Sequence, residues 1–233
     1  KAMKFSLVIP CFNEAKNLPL LLESCNFMNS IKDIELIIVD NGSGDNTQHV
    51  LKNLLPKYPF CSVVKVDVNN GYGYGILSGL SKAKGDILAW THADMQTNPA
   101  DILKGLKLFE SDSSCHFVKG KRIGRPISDQ IFTIGMSIFE SILLLKPMND
   151  INAQPTMLSR ELYGKWKNPP HDFSLDLYAY YMALLMNYKV KRFRVVFGKR
   201  AFGHSSWNIN LSSKYKFIAR TIKYSLQLKK HIN

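Results

Sequence analysis

Short apolar runs that stop abruptly in polar, glycine-rich loops constrain this chain most. Ser6-Leu7-Val8-Ile9-Pro10 is closed by proline and followed by Asn13-Glu14. Glu35-Leu36-Ile37-Ile38-Val39-Asp40 runs into Asn41-Gly42-Ser43-Gly44-Asp45-Asn46. A third run, Cys61–Val66, leads to Asn69-Asn70-Gly71, and a fourth, residues 86–90, leads to His92-Ala93-Asp94-Met95-Gln96. Apolar runs of this length are the pattern of buried strands. The segments between them are long enough for helices, expected over residues 15–27, from Asp45 or Asn46 to Leu55, and from Gly71 to Lys84-Gly85. Repeated strand–loop–helix units imply an α/β fold with a mostly parallel sheet and helices on both faces. Ligands of such sheets bind beyond the carboxyl ends of the strands, where the polar residues of this chain collect.

The second half is less regular. Ile131, Ile134, Ile138, Ile142 and Leu145 sit at helical spacing, widened by Phe132, Phe139 and Leu143. That spacing fits core packing or a surface facing lipid or a partner. Residues 175–186 read as another helix and residues 190–197 as a strand rich in Arg and Lys. In the last helix Leu211, Tyr215, Ile218, Ile222 and Leu226 form one face, and Lys216, Arg220, Lys223 and Lys230 the opposite one. Residues 1–110 and 111–233 are read as two halves packed as one domain, the second carrying amphipathic C-terminal helices. Residues 131–145 include Ser137, Glu140 and Ser141 and are shorter than a bilayer span, so no transmembrane helix is expected, and no secretory signal is visible.

Charge narrows the partners. The chain has 31 Lys plus Arg against 18 Asp plus Glu, a formal net charge of +13. Such an excess points to anionic partners such as phosphorylated substrates or an acidic membrane surface. No recognition motif of a nucleic-acid-binding module is present, so nucleic acid is not an expected partner. Cys11, Cys25, Cys61 and Cys115 show no metal-ligand spacing and fit free thiols in a reducing compartment.

Two strand ends carry candidate chemistry. A carboxylate at Asp40 can accept hydrogen bonds from a base or ribose, or close an Asx turn. His92, Asp94 and Gln96 alternate, so an extended segment points all three to one side. Mg²⁺ commonly takes one or two carboxylates plus substrate phosphates, which makes Asp94 a plausible ligand. Arg122 and Arg125 offer guanidinium forks to phosphate. Asp172 and Asp176 flank a helix start and fit either a cap or a site.

Taken together, these pieces resemble the family 2 glycosyltransferases of the GT-A fold, which is Rossmann-like. The dolichyl- and polyprenyl-phosphate sugar synthase branch is the most similar. The resemblance rests on residues 8–14, Ile37 to Thr47, Asn70-Gly71-Tyr72-Gly73 with Gly79, Ala83-Lys84-Gly85-Asp86, and residues 92–96, and runs more loosely to Trp207. It implies that residues 1–110 hold a nucleotide-diphosphate sugar. Pro10, Asn13 and Glu14 would line base and ribose, Asp40 would bind the base, and Gly71 would let backbone approach the nucleotide. His92 and Ala93 would lie against the nucleotide, and Asp94 and Gln96 would hold a divalent metal, Mg²⁺ or Mn²⁺, on the diphosphate.

Residues 111–233 would bind the acceptor. Arg122 and Arg125 would hold the donor diphosphate or an acceptor phosphate. Arg200, opening an Arg-x-x-Gly-x-Ser segment to Ser205, would close on the donor phosphates. The implied reaction is a single displacement with inversion. A phosphate acceptor needs no strong base; a hydroxyl acceptor does, and Asp150 then Asp176 are the candidates, not separable by sequence. The family usually has Asp-Asp where this chain has Asp40-Asn41, and Asp-x-Asp where it has His92-Ala93-Asp94. An imidazole at that place can ligate a transition metal, which shifts the preference toward Mn²⁺, donate to phosphate, or replace a ribose contact. The expected acceptor is a polyprenyl phosphate or membrane-linked glycan of cell-envelope polysaccharide biosynthesis, reached from the cytoplasmic face by peripheral contact with an anionic membrane. A GT-A fold that binds nucleotide or glycan without catalysis is the alternative.

Overall fold

A computed structural model describes residues 3–202 and 211–230 of the chain. Four strands form the expected parallel set: β1 (Phe5–Cys11), β2 (Ile34–Asn41), β3 (Cys61–Val66) and β4 (Ile87–Trp90). Three more complete the sheet: β5 (Phe117–Ile123), β6 (Thr156–Ser159) and β7 (Val190–Val196). The seven-stranded order is β3-β2-β1-β4-β6-β5-β7. β6 runs antiparallel to both β4 and β5, and β5 and β7 are parallel. The sheet is therefore mostly parallel, with one reversed strand joining the two halves.

Alternation along the central strands feeds two cores. Leu7, Ile9, Leu36 and Ile38 point to one face, with α1 (Leu18–Ser24), α2 (Thr47–Leu54) and α4 (Ile102–Glu110). Val8, Ile37, Val39 and Trp90 point to the other, with α3 (Tyr72–Leu80), α6 (Arg160–Gly164) and α7 (Leu175–Leu185). Helices thus cover both faces, and the loops between the layers open at the carboxyl ends of the strands.

Two helices are shorter than expected. α1 starts at Leu18 with Pro19 in its first turn, and after Cys25 the chain tightens into a 3₁₀ turn, Asn26–Ser30. α3 ends at Leu80, the amides of residues 81–83 turn back onto its last carbonyls, and side chains of the first two strands hold the two amides that follow. Lys84 N–H donates to Glu35 Oε1 at 2.6 Å and Gly85 N–H to Ser6 Oγ at 2.7 Å.

The two peripheral helices depart further from the sequence pattern. α5 (Ile127–Leu144) has 18 residues and a mean hydropathy of 1.3, so by length and composition it is long and apolar enough to cross a membrane. It starts earlier than the apolar stretch read from the sequence, which makes up the missing length. Its isoleucine stripe faces outward: Ile127, Ile131, Ile134, Ile138 and Ile142 are all exposed, while Ser137 and Glu140 are buried. α8 (Leu211–Lys230) packs on α5, and Ser225 Oγ donates to Glu140 Oε1 at 2.8 Å. Among the residues of α8 whose side chains are described, Ser225 and Leu228 are buried, whereas Tyr215 and Leu226 of the expected apolar face are exposed.

Candidate active site

The carboxyl ends of β1 and β2 are laced together by the residues expected to bind nucleotide. Asn13 sits at φ 58°, a left-handed conformation that asparagine tolerates. Its Oδ1 accepts from the backbone N–H groups of Gly44 (2.9 Å) and Asp45 (3.3 Å). Ser43 Oγ in turn accepts from Asn13 N–H at 3.0 Å. Glu14 N–H donates to Thr47 Oγ1 at 3.1 Å, and the Glu14 carboxylate accepts from Asn17. Burial holds the Glu14 carboxyl above its ordinary value; Asp94 adds to this, while the Asn17 hydrogen bond and the Arg200 charge oppose it. Pro10 is half-buried beside them.

Asp40 is buried at the end of β2. Its Oδ1 accepts from Ser43 N–H at 3.1 Å, the turn expected at a strand end. Its Oδ2 is buried without a hydrogen-bond partner. A buried carboxylate oxygen left bare carries a large desolvation cost unless a ligand donor completes it. Asn41 takes a structural part instead, donating from Nδ2 to Gly71 O at 3.0 Å. Gly71 has φ 110°, and a side chain there would run into the His171 carbonyl. The glycine thus brings the α3 turn against backbone of the second half.

The segment after β4 is a turn rather than the extended piece that alternation implied. Met95 lies at φ 60°, and Asp94 Oδ1 accepts from Gln96 N–H at 3.1 Å, so the three polar side chains diverge. His92 stacks on Tyr72, with ring centroids 5.3 Å apart. Asp94 is buried and its Oδ2 meets Arg200 Nη2 at 3.0 Å. Gln96 Nε2 donates to Gly198 O at 3.1 Å, and Gly198 N–H returns a bond to Gln96 O at 2.7 Å. Ala93 is buried beneath the turn. Residues 198–201 therefore clasp residues 94–96. Gly203, His204, Ser205 and Ser206, and Trp207 beyond them, lie outside the described residues.

No cluster of three or more His, Cys, Asp or Glu side chains suited to a metal occurs among the described residues. Asp94 is nonetheless a buried carboxylate whose Oδ1 holds the turn and whose Oδ2 meets the Arg200 guanidinium. That donor set fits an ion held by one carboxylate and phosphate oxygens.

The two acids considered as bases have different surroundings. Asp150, at φ 42°, accepts from Arg122 N–H (3.0 Å) and Nε (2.9 Å), from Arg122 Nη2 as well, and lies 3.7 Å from Arg125 Nη1. Both guanidinium groups lie over the Phe197 ring. Burial raises the Asp150 carboxyl, but the Arg122 charge and hydrogen bonds outweigh it and leave it below its ordinary value. Asp176, 2% exposed, sits in the core. Its Oδ1 accepts from Trp90 Nε1 (3.1 Å), Gln154 Nε2 (2.8 Å) and Thr156 Oγ1 (3.3 Å), and lies 3.8 Å from Lys119 Nζ. Burial lowers the Lys119 ammonium to about 8, although Asp176 supports its charge.

Sequence reasoning missed the residues that join these parts. Gln154 Nε2 also donates to Tyr72 OH at 3.1 Å. The Tyr72 ring stacks on Phe173 at 4.6 Å as well as on His92, and Arg220 of α8 lies over Phe173 at 5.3 Å. A column of rings thus runs from the turn after β4 to the C-terminal helix. The Gly71-Tyr72-Gly73 spacing was the available signal, since it brings Tyr72 to the carboxyl edge.

Residues 6–165 match the model of glycosyl transferase family 2. The chain belongs to this family. Within the family, it is 33% identical over 108 residues to an undecaprenyl-phosphate 4-deoxy-4-formamido-L-arabinose transferase of Yersinia enterocolitica, a match covering 44% of this chain and 32% of that protein. An uncharacterized glycosyltransferase of Bacillus subtilis is 31% identical over 112 residues, covering 48% of this chain and 28% of that one. These matches span about a third of each relative's length. Glucosyl-3-phosphoglycerate synthase from Mycobacterium tuberculosis, solved with Mn²⁺, UDP and glucosyl-3-phosphoglycerate, superposes with a TM-score of 0.75 at 17% identity, covering 98% of this chain and 80% of that one. A mannosyltransferase from Pyrobaculum calidifontis, solved with GDP-Man and Mn²⁺, gives 0.71 at 18% identity, covering 97% and 65%. The structural likeness establishes the GT-A fold of this family 2 member.

Proposed function

We propose that this chain transfers a sugar, with inversion, from a nucleotide-diphosphate sugar to a polyprenyl phosphate or membrane-linked glycan at the cytoplasmic face of a membrane. The observation that carries the reading is the bare, buried Oδ2 of Asp40 on the same sheet edge as the Asp94 turn. In this reading Asp40 receives the base, with Pro10, Asn13 and Glu14 beside it and Gly71 leaving room for backbone approach. His92 and Ala93 border the nucleotide, and His92 is steered by its stack on Tyr72. Asp94 would hold a divalent metal, which would supply charge stabilisation to the departing diphosphate, and Gln96, clasped to Gly198, would steady the turn that carries it. Arg200 then leaves Asp94 and turns to the same phosphates, a charge-assisted pairing that strengthens as the leaving group gains charge.

The acids of the second half favour a phosphate acceptor. Asp150 is held ionised by Arg122, so it orients Arg122 and Arg125 as a phosphate fork rather than taking a proton. Asp176 is enclosed by Trp90, Gln154 and Lys119 and acts through them, as a positioning residue for Tyr72. An anionic phosphate needs no base. The outward isoleucine row of α5 and the exposed Lys216, Lys223 and Lys230 of α8, which packs on α5, support contact with an anionic bilayer surface.

A thermal-shift screen of nucleoside diphosphates with Mn²⁺ or Mg²⁺, followed by a nucleotide-sugar hydrolysis assay, tests the proposal. Stabilisation by one nucleotide and metal-stimulated turnover, both lost in Asp94→Ala, are expected. Turnover that survives Asp94→Ala overturns the site. Nucleotide binding without turnover in the wild type leaves the binding-module alternative standing.

A further inference from the structure

Among the buried side-chain atoms without a hydrogen-bond partner are Ser137 Oγ, Glu140 Oε2 and Ser174 Oγ. All three residues line one cavity of about 50 Å³ between α5, α8 and the start of α7. Arg122, Asn152 and Phe173 also line it, and the rest of the wall is largely apolar, with Phe132, Met136, Ile151 and Leu177. Ser137 and Glu140 are one turn apart on the inward face of α5, and the three polar residues are each at most 4% exposed. Each of these groups loses its water without a replacement, and their convergence on one cavity lets a single ligand answer more than one of them.

We propose that this cavity seats a neutral, hydroxyl-bearing edge of a sugar. The charge distribution selects a neutral group. The Arg122 guanidinium is already paired with Asp150, and the unpartnered Glu140 oxygen opposes an anion inside the cavity. Glu140 has its second oxygen occupied by Ser225 and is shifted by burial to about 7, so near neutrality its free oxygen both accepts and donates. Hydroxyl groups are the ligands that reciprocate in both senses. The volume corresponds to three or four waters, roughly a hydroxymethyl or glycol fragment. Position fits the same use. Phe173 belongs to both the cavity wall and the ring column that ends on His92, and Arg122 to both the wall and the phosphate fork. That the sugar is a substrate of transfer rests on the function proposed above; that the cavity takes a polyol does not.

Glycerol is the probe. Saturation-transfer NMR on the whole protein is expected to detect glycerol binding at millimolar concentration, weakened at least threefold in Ser137→Ala and in Glu140→Gln, with circular dichroism unchanged in both. Inorganic phosphate should not compete. Adding the nucleotide sugar chosen by the thermal-shift screen displaces glycerol if the donor sugar fills the cavity and leaves it bound if the acceptor does; either outcome supports a sugar subsite. No glycerol binding to the wild type, binding indifferent to both variants, or displacement by phosphate overturns the proposal, the first meaning that the cavity holds water alone. A nucleotide screen that fails while glycerol binding behaves as stated would defeat the transferase reading and leave the polyol site intact.

Discussion

The two ends of the sheet treat their carboxylates in opposite ways. On the donor side, Asp40 keeps a bare buried oxygen and Asp94 has one exchangeable guanidinium partner. In the second half, Asp150 is locked to Arg122, and Asp176 accepts three hydrogen bonds deep in the core. Burial alone does not separate these acids, since Asp40 and Asp176 are 1% and 2% exposed. The separating property is whether protein groups already satisfy the carboxylate. An acid left incomplete is poised for a ligand; an acid completed by its neighbours holds the fold or aims another residue.

The largest test of this contrast is Asp176→Ala. It strands the Lys119 ammonium in the core, and loss of about 3–5 kcal/mol of stability is expected from the urea midpoint. A midpoint close to wild type would place Asp176 with the ligand-facing acids instead. Asp94→Ala is expected to lower turnover by about 10²–10³-fold, as removing a charge-stabilising group at a developing anion does, with little change in the midpoint. A variant that unfolds before it loses activity would erase the distinction. Asp40→Ala should weaken nucleotide affinity by about 1.5–3 kcal/mol, read by calorimetry with and without metal, because it removes a charge-assisted hydrogen bond. Unchanged affinity removes Asp40 from the site.

The smallest effect concerns Glu140, an acid of intermediate kind with one oxygen satisfied and one not. Its folded value of about 7 lies above the ordinary 4.5, so the folded chain holds more protons between these limits. Stability from this group is therefore full below about pH 4.5 and is lost as pH rises through 7. Glu140→Gln should flatten that slope in melting temperatures taken across the range. A slope that persists in the variant assigns the pH dependence elsewhere.

The donor half was legible because its information is local. Apolar runs such as Leu36-Ile37-Ile38-Val39 announce buried strands, and the residues following each strand must lie at the ligand edge. The second half hides its logic in pairings between distant segments. Nothing beside Asp176 in sequence reveals that Trp90, Lys119, Gln154 and Thr156 converge on it. β6 has four residues, too few to show a period, yet it reverses the sheet between β4 and β5. The stripe on α5 was visible, but periodicity alone does not say which side of a helix turns inward. The side was decided by Ser137 and Glu140 against α8. Likewise Met95, with its left-handed backbone, broke the alternation that would have aligned His92, Asp94 and Gln96.

The outward row on α5 also has a consequence for the protein in plain buffer. Ile127, Ile131, Ile134, Ile138 and Ile142 present a continuous oily ridge to water. Covering such a ridge with any apolar surface lowers its free energy. A lipid vesicle or a mild detergent supplies that cover. Melting temperature and specific activity are then expected to follow how much such surface the solution offers, quantities of the solution rather than constants of the chain.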